Sequence, residues 1–232
     1  MDFFLQFATG IVAHRSDRSQ WSFLGSAACF RNRETALSAA HCVPQGSEDG
    51  LFLILNGTPY PMTEVVRHEK SDVAVLKAEV AEEDEFLRHH TFDGVASGLI
   101  EGGDFNAYGY LSEGPMTGPK LVGRFLKGNF QRYFGYKSPQ GHDYFAGELS
   151  VPAPSGLSGG PVVHPHNSKA LAGIVTSNVE SYAVLDQVEE VQEDGKTRTL
   201  ESRRVLSYGL CAMLSGLTEW LDEEAPPKPI AD

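Results

Sequence analysis

Cysteine is scarce in this chain: three among 232 residues, Cys29, Cys42 and Cys211. An odd handful cannot staple a scaffold, which excludes the small disulfide-built class and points to a reducing compartment, the cytoplasm. Positive charge is scarce as well. Nineteen Lys and Arg stand against 31 Asp and Glu, a net charge of −12, whereas a nucleic-acid binder concentrates cations to displace counterions from phosphates. No apolar run approaches the roughly 20 residues that cross a bilayer as a helix, so no membrane partner is expected. The opening, MDFFLQFATGIVAHR, is apolar but carries an acid at Asp2 and lacks both a basic first region and a small-residue cleavage site. It does not read as a secretory leader. No Gly-rich phosphate cradle is present, and no cofactor is expected.

What the chain does contain is the material of a folded, strand-rich protein. Hydrophobic residues make up 41% and charged residues 22%, which excludes a mainly disordered chain and suffices for a sizeable core. Gly 24 and Pro 13 break the sequence into short β-rich runs such as SAACF, LFLIL, DVAVLKA, FNAYGYL, PVVH and LAGIVTS. Such spacing indicates an all-β sandwich or barrel. The one good helix signal is Ser215 to Glu224, where Leu217, Trp220 and Leu221 recur at helical spacing. Val188 to Leu200 reads as a hairpin about Asp194-Gly195, a pair suited to the positive φ angles of a tight turn. From Glu79 to Gly103 periodicity is weakest, and an acidic run at Glu82–Glu85 marks a long surface connection between two β units. The ending EEAPPKPIAD is acidic and Pro-rich, with nothing to pack.

Three segments need a joint explanation: LSAAHCV, with His41 directly after a β run; SDVAVLK, with Asp72 opening an apolar strand; and SGLSGGPVV, with Ser158 framed by Gly156, Gly159 and Gly160. Singly, each has a bland reading. A histidine beside a strand is usually structural, an Asp at a strand start usually a turn residue, and a Gly/Ser turn only a turn. Together they supply acyl-transfer chemistry. A serine hydroxyl is a weak nucleophile near neutral pH and needs a base such as His41. The base needs a carboxylate, Asp72, to fix its tautomer and stabilise the imidazolium. The tetrahedral intermediate needs donors aimed at its oxyanion, a task for the backbone N–H groups of Gly156 and Ser158.

In the chain order His, Asp, Ser, these residues resemble the trypsin/chymotrypsin-like serine peptidases, the standard example of the triad. GSAACF…LSAAHC is similar to the strand leading to that family's histidine, FNAYGYL to the first strand of its second barrel, LAGIVTSN to its substrate-binding strand, and SYGLCAMLSGLTEWL to its closing strand and C-terminal helix. The resemblance implies an all-β fold of two six-stranded antiparallel β-barrels with a short C-terminal helix and a site in the cleft between them. The organisation expected is an N-terminal barrel over residues 1–92 carrying His41 and Asp72, a connection over 93–104, a C-terminal barrel with the helix over 105–222 carrying Ser158, and a tail or linker over 223–232. It implies a serine endopeptidase acting on protein or peptide substrates, which pair in β fashion with Thr176, Ser177 and Asn178.

Four departures from the family refine these expectations. Leu157 stands where secreted digestive members carry an aspartate that pairs with a new N-terminal amine, so activation by N-terminal cleavage is not expected. The primary specificity pocket would have Pro152 and Ala153 at its base, with Ser155, Thr176, Ser177, Asn178 and Gly209 on its walls. With no acid at that base, a small or apolar side chain before the scissile bond is expected, unless Glu148 swings in. Cys29 lies three residues inside the place of Cys42's usual disulfide partner, which on a strand turns it to the other face and favours free thiols. Finally, the Asp194-Gly195 hairpin is an insertion that should overhang the cleft.

Other features are set aside. His164-Pro165-His166 and His89-His90 lack the companion ligands of a metal site, and Phe3, Phe4 and Phe7 read as barrel packing rather than an anchor. KGNFQRYFGYK, from Lys127 to Lys137, reads as a hairpin near the cleft rather than a nucleic-acid platform. Two rival functions stay open at this point: a catalytically silent binding or scaffold domain of the same fold, and an esterase using the same triad. The missing leader, the missing zymogen-type aspartate and the Pro-rich end together point to an intracellular protease controlled by a fused module or partner protein.

Overall fold

The computed structural model describes residues 3–16, 20–46, 49–80, 89–97, 100–113, 120–191 and 197–227. The chain begins with a five-residue helix α1 (Phe3–Phe7), followed by β1 (Thr9–Arg15), β2 (Trp21–Cys29), β3 (Thr35–Ser38), a 3-10 turn (Ala40–Cys42), β4 (Leu51–Leu55), β5 (Thr58–Arg67) and β6 (Ala74–Ala78). These six strands close a barrel in the order β1-β2-β3-β6-β5-β4. The alternation in LFLIL explains β4: Leu51, Leu53 and Leu55 are buried, while Phe52 and Ile54 between them are only half-buried. They meet Val12, Ala27, Cys29 and Leu76 in the first barrel's core.

A short β7 (Gly94–Val95) leads to β8 (Asp104–Glu113), β9 (Lys120–Lys137), β10 (Asp143–Leu149), β11 (Pro161–His164), β12 (Asn167–Val191) and β13 (Thr197–Met213), then helix α2 (Thr218–Glu224). The second sheet has the order β11-β8-β9-β10-β13-β12-β7, and β11 also pairs with β12, so six of its strands form a ring. All pairings in the ring are antiparallel; β7 alone joins in parallel, against β12. Between the two units lies a shared apolar seam: Phe30, Leu37 and Val75 from the first, Tyr108, Tyr144 and Ile174 from the second, joined by Leu5 of α1 and Leu221 of α2. This seam fixes the cleft on which the functional site is built.

Several expectations change. The connection between the units is not all surface. Phe92 is fully buried, and its N–H donates to the Cys29 carbonyl at 2.9 Å while its own carbonyl accepts from Arg31 at 2.7 Å. Burying a phenyl ring completely contributes roughly 1.5–3 kcal/mol, enough to pin this stretch. The acidic run at Glu82–Glu85 and the Asp194-Gly195 turn lie outside the described residues. The flanking strands do pair, from Asn178↔Gly209 out to Val191↔Thr197. The C-terminal helix starts at Thr218, after a 3-10 turn at Leu214–Gly216, and the start of the tail does pack. Ala225 is buried, and the Arg31 guanidinium donates to the carbonyls of both Leu221 and Ala225.

The three thiols are free. The neighbour of Cys42 across the barrel is Gly25, where a Cβ would stand 2.5 Å from the Cys42 sulfur. Cys29 therefore lies four residues on from the partner position, not three, and is kept from Cys42 by distance along β2. Its side chain sits in the first barrel's core, where burial pushes its pKa up to about 12.

Candidate active site

The sequence LSAAHC places His41 on the 3-10 turn that follows β3. Ala39 and Ala40 are buried, so their small side chains let the chain turn tightly against the barrel. Asp72 is buried at the end of the loop between β5 and β6. That loop is organised by His68, whose Nδ1 accepts the backbone N–H groups of Lys70 (3.1 Å) and Ser71 (2.8 Å) and whose ring packs edge-on against Trp220 of α2. Burial lowers the His68 pKa, which favours the neutral ring that this acceptor role requires. Asp72 then grips His41 at two points: Oδ1 accepts the His41 backbone N–H at 3.0 Å, and Oδ2 lies 2.7 Å from Nδ1. The pairing places the imidazole proton on Nδ1 and leaves Nε2 as the acceptor.

Ser158 arrives from the second barrel on two consecutive turns. Leu157 N–H donates to Pro154 O, and Gly160 N–H donates to Leu157 O. Gly156 (φ 95°) and Gly159 (φ 86°) hold the left-handed positions of these turns, and a methyl group at Gly159 would overlap the Ser26 carbonyl. Leu157 is fully buried and presses on Gly109. The side chain replacing the family's aspartate thus anchors the loop by burial instead of by an ion pair. Ser26 then ties the loop to the first barrel: its N–H donates to Ser158 O at 2.8 Å, and its hydroxyl to Gly156 O at 3.0 Å.

His41 and Asp72 are thus bonded to one another, and the Ser158 loop is tied to the first barrel beside them through Ser26 and the Cys42 sulfur. The Ser158 hydroxyl donates to the Thr176 carbonyl at 3.1 Å. His41 Nε2 faces the Cys42 sulfur at 3.7 Å, and that sulfur lies 3.6 Å from the Ser158 carbonyl oxygen. Burial of the imidazole works against its charged form, but the Asp72 bond, followed by the Cys42 sulfur, outweighs it and holds the His41 pKa above its ordinary 6.5.

Beside His41 and Asp72 opens a cavity of about 300 Å³, lined by these two, Tyr136, residues 138–140 and His142 of the hairpin tip, Tyr144 and residues 176–178. His142 Nδ1 stands 3.8 Å from Asp72 Oδ1. The Thr176 hydroxyl donates to Leu210 O and accepts from the Tyr144 hydroxyl at 2.9 Å. KGNFQRYFGYK is not a hairpin but the second half of the single strand β9, and its Tyr136 lines the cavity. Sequence reading missed His68, His142 and Tyr144, which carry no local motif.

The residues assigned to the primary pocket divide into two groups. Pro152 and Ser155 are exposed, whereas Ala153 is buried. Asn178 clamps Ala153 with two hydrogen bonds of 2.7 Å, donating from Nδ2 to Ala153 O and accepting the Ala153 N–H on Oδ1. Gly209 packs so closely that a Cβ there would press on Val151 O and Ala153. Glu148 is committed elsewhere, accepting both Nε and Nη2 of Arg132 at 3.0 and 2.8 Å. His164 and His166 form a local turn, with His166 N–H donating to His164 Nδ1.

Comparison with known proteins decides the family. The signature of the trypsin-like peptidase domain matches residues 25–174, more than half of the chain. The protein belongs to the trypsin-like peptidase family. A search of curated proteins by sequence gave no match. Among solved structures, this trypsin-like peptidase is similar to the Rv3671c protease of M. tuberculosis in its active form (13% identity, 98% of this chain and 85% of that one, TM-score 0.61). It is also similar to the MamO protease domain of Magnetospirillum magneticum (15% identity, 95% and 99%, TM-score 0.62). A third likeness is to the HtrA-type protease AlgW with a decapeptide (16% identity, 95% and 65%, TM-score 0.58). At these identities the likeness is one of fold. Its enzyme class is serine protease, with protein or peptide as substrate. No helix among the described residues is long and apolar enough to cross a membrane.

Proposed function

We propose that the chain is a serine endopeptidase in which His41 is the general base, Asp72 its orienting carboxylate and Ser158 the nucleophile. The observation that carries this reading is the two-point grip of Asp72 on His41 beside a glycine-framed serine from the opposite barrel. Rotation about the Ser158 Cα–Cβ bond releases the hydroxyl from Thr176 O and turns it toward Nε2, a tightening that binding of substrate commonly brings about. Thr176 O is then free to accept an N–H of the substrate. Ser158 Oγ bonds to the scissile carbonyl carbon as its proton moves to Nε2. The resulting oxyanion accepts from the N–H groups of Gly156 and Ser158, and the imidazolium, stabilised by Asp72, returns the proton to the departing amine. Water repeats the sequence on the acyl-enzyme.

The Asn178 clamp lies across the primary pocket, which favours a small side chain before the scissile bond. The loop's frame is held by burial of Leu157, so the oxyanion site needs no new N-terminal amine. Free, buried thiols fit work in a reducing compartment such as the cytoplasm. The serine turned from its base fits control by a fused module or partner protein. The test is hydrolysis of a quenched peptide with Ala before the cleaved bond. Ser158→Ala should lower turnover by roughly 10⁶-fold with the fold intact; retained cleavage would overturn the assignment. Free cleavage of casein by the purified chain would remove the need for external control.

A further inference from the structure

Tyr182, Val184, Leu185, Val188, Leu200 and Val205 are 41% to 64% exposed, and all stand on one element, the two-stranded ribbon formed by β12 and β13 beyond the second barrel. Apolar side chains gathered in this way mark an interaction surface rather than ordinary scatter. The ribbon begins where the catalytic groove ends. The pairing of β12 with β11 stops at Ile174, and past Thr176 the only strand beside β12 among the described residues is β13.

Backbone direction shows which groups are open. Gly209 donates its N–H to Val151 O, away from β12. Its opposite number Asn178 therefore sits in a non-hydrogen-bonded pair, with its own N–H and C=O turned outward. Alternation repeats this at Glu180, Tyr182 and Val184, up to the bulge before Asp186. This open edge runs on directly from Thr176, whose carbonyl holds the Ser158 hydroxyl. From Ser177 to Val191 the strand carries Glu180, Asp186, Glu189 and Glu190 and no Lys or Arg. The cations Arg198, Arg203 and Arg204 belong to the far strand, where Arg203 pairs with Glu201.

We propose that the outer edge of β12 beyond Asn178, from Glu180 to Glu189, is an exosite for the part of the substrate that precedes the scissile bond. The proposal rests on the acyl-transfer reading only for the position of that bond. Antiparallel addition, the pattern throughout the ring of this sheet, lays the residues N-terminal to the bond along the ribbon as a third strand. The acidic edge selects a segment in which Lys or Arg alternates with β-branched or aromatic residues, the latter covering Tyr182 and Val184.

The test uses the full chain carrying Ser158→Ala, so that nothing is cleaved, and two fluorescein-labelled peptides. Both end in three alanines, preceded by four Val-Lys repeats in one and four Val-Glu repeats in the other. The Lys peptide should bind at least about tenfold more tightly at low salt, with the advantage shrinking as salt rises. Adding Glu180→Pro, which removes an outward N–H at an edge where proline is tolerated, should weaken the Lys peptide at least about tenfold. Adding Glu180→Lys with Glu189→Lys should reverse the preference, and this decides the matter where the proline variant does not fold. Equal binding of the two peptides, or an unreversed preference, overturns the exosite. Fluorophosphonate labelling of Ser158 in the unaltered chain is read separately. Labelling without discrimination removes the exosite alone. Discrimination without labelling removes the enzymatic reading and leaves a peptide-binding edge.

Discussion

Replacing Asn178 by alanine should open the primary pocket and loosen the loop that forms it. The side chain makes two hydrogen bonds of 2.7 Å to the backbone of Ala153. Net contributions of about 0.5–1.5 kcal/mol per bond, taken toward the lower end because Asn178 is exposed on its outer side, give a loss of about 1–2 kcal/mol. In a chain of this size that corresponds to a melting temperature lower by about 2–8 °C. The larger effect is on selectivity. Space vacated in a pocket is worth roughly 10- to 200-fold in kcat/KM for a side chain larger by a methylene or so. The assay compares two quenched peptides that differ only in Ala or Leu before the scissile bond. Asn178→Ala should move the kcat/KM ratio toward Leu by roughly 10- to 200-fold. A lower melting temperature with an unchanged ratio would refute the reasoning, leaving the clamp as a structural tie outside the path of the substrate.

Three further outcomes follow from named contacts. Leu157→Ala, at a site with no exposure, should cost about 2–5 kcal/mol in urea unfolding, and an effect under about 0.5 kcal/mol would mean that burial does not anchor the loop. Gly159→Ala forces a side chain into a left-handed position against the Ser26 carbonyl. It should abolish fluorophosphonate labelling while the far-UV circular dichroism persists, and normal labelling would contradict the turn geometry. Because His41 must be neutral to accept a proton and its pKa is raised above 6.5, kcat/KM should still be rising with pH above 6.5. A plateau already reached at pH 6 would contradict the Asp72 pairing. The sign for stability is opposite. A pKa raised on folding stabilises fully below the unfolded value of 6.5 and loses that contribution as pH climbs through the folded one. The stability difference between the wild type and His41→Ala should therefore shrink toward alkaline pH.

The strands and the three chemical segments were legible because local physics writes them locally. LFLIL alternates since one face of β4 meets a core, and SGLSGG is glycine-rich because positive φ and a close backbone approach leave no alternative at Gly159. What stayed hidden depends on single contacts between distant residues. Asn178 and Ala153 are expected in one pocket, but nothing in the sequence announces the clamp between them, and nothing near His142 announces Asp72. Phe92 looked like part of a polar connection because one buried ring flanked by polar residues has no period to detect. The exchange of an aspartate for Leu157 was visible as a departure, but its consequence, a loop fastened by packing, needed the surrounding core. Gly25 opposite Cys42 was missed for a similar reason: the contact joins β2 to the 3-10 turn, and residue counting alone does not place it.

The most direct measurement is mass-spectrometric mapping of a fluorophosphonate adduct on the intact chain, alongside His41→Ala and Asp72→Asn. A single adduct on Ser158, slowed at least about a thousandfold in His41→Ala and less severely in Asp72→Asn, is the predicted result. Equal labelling of the His41→Ala chain, or an adduct on any serine but Ser158, would contradict it.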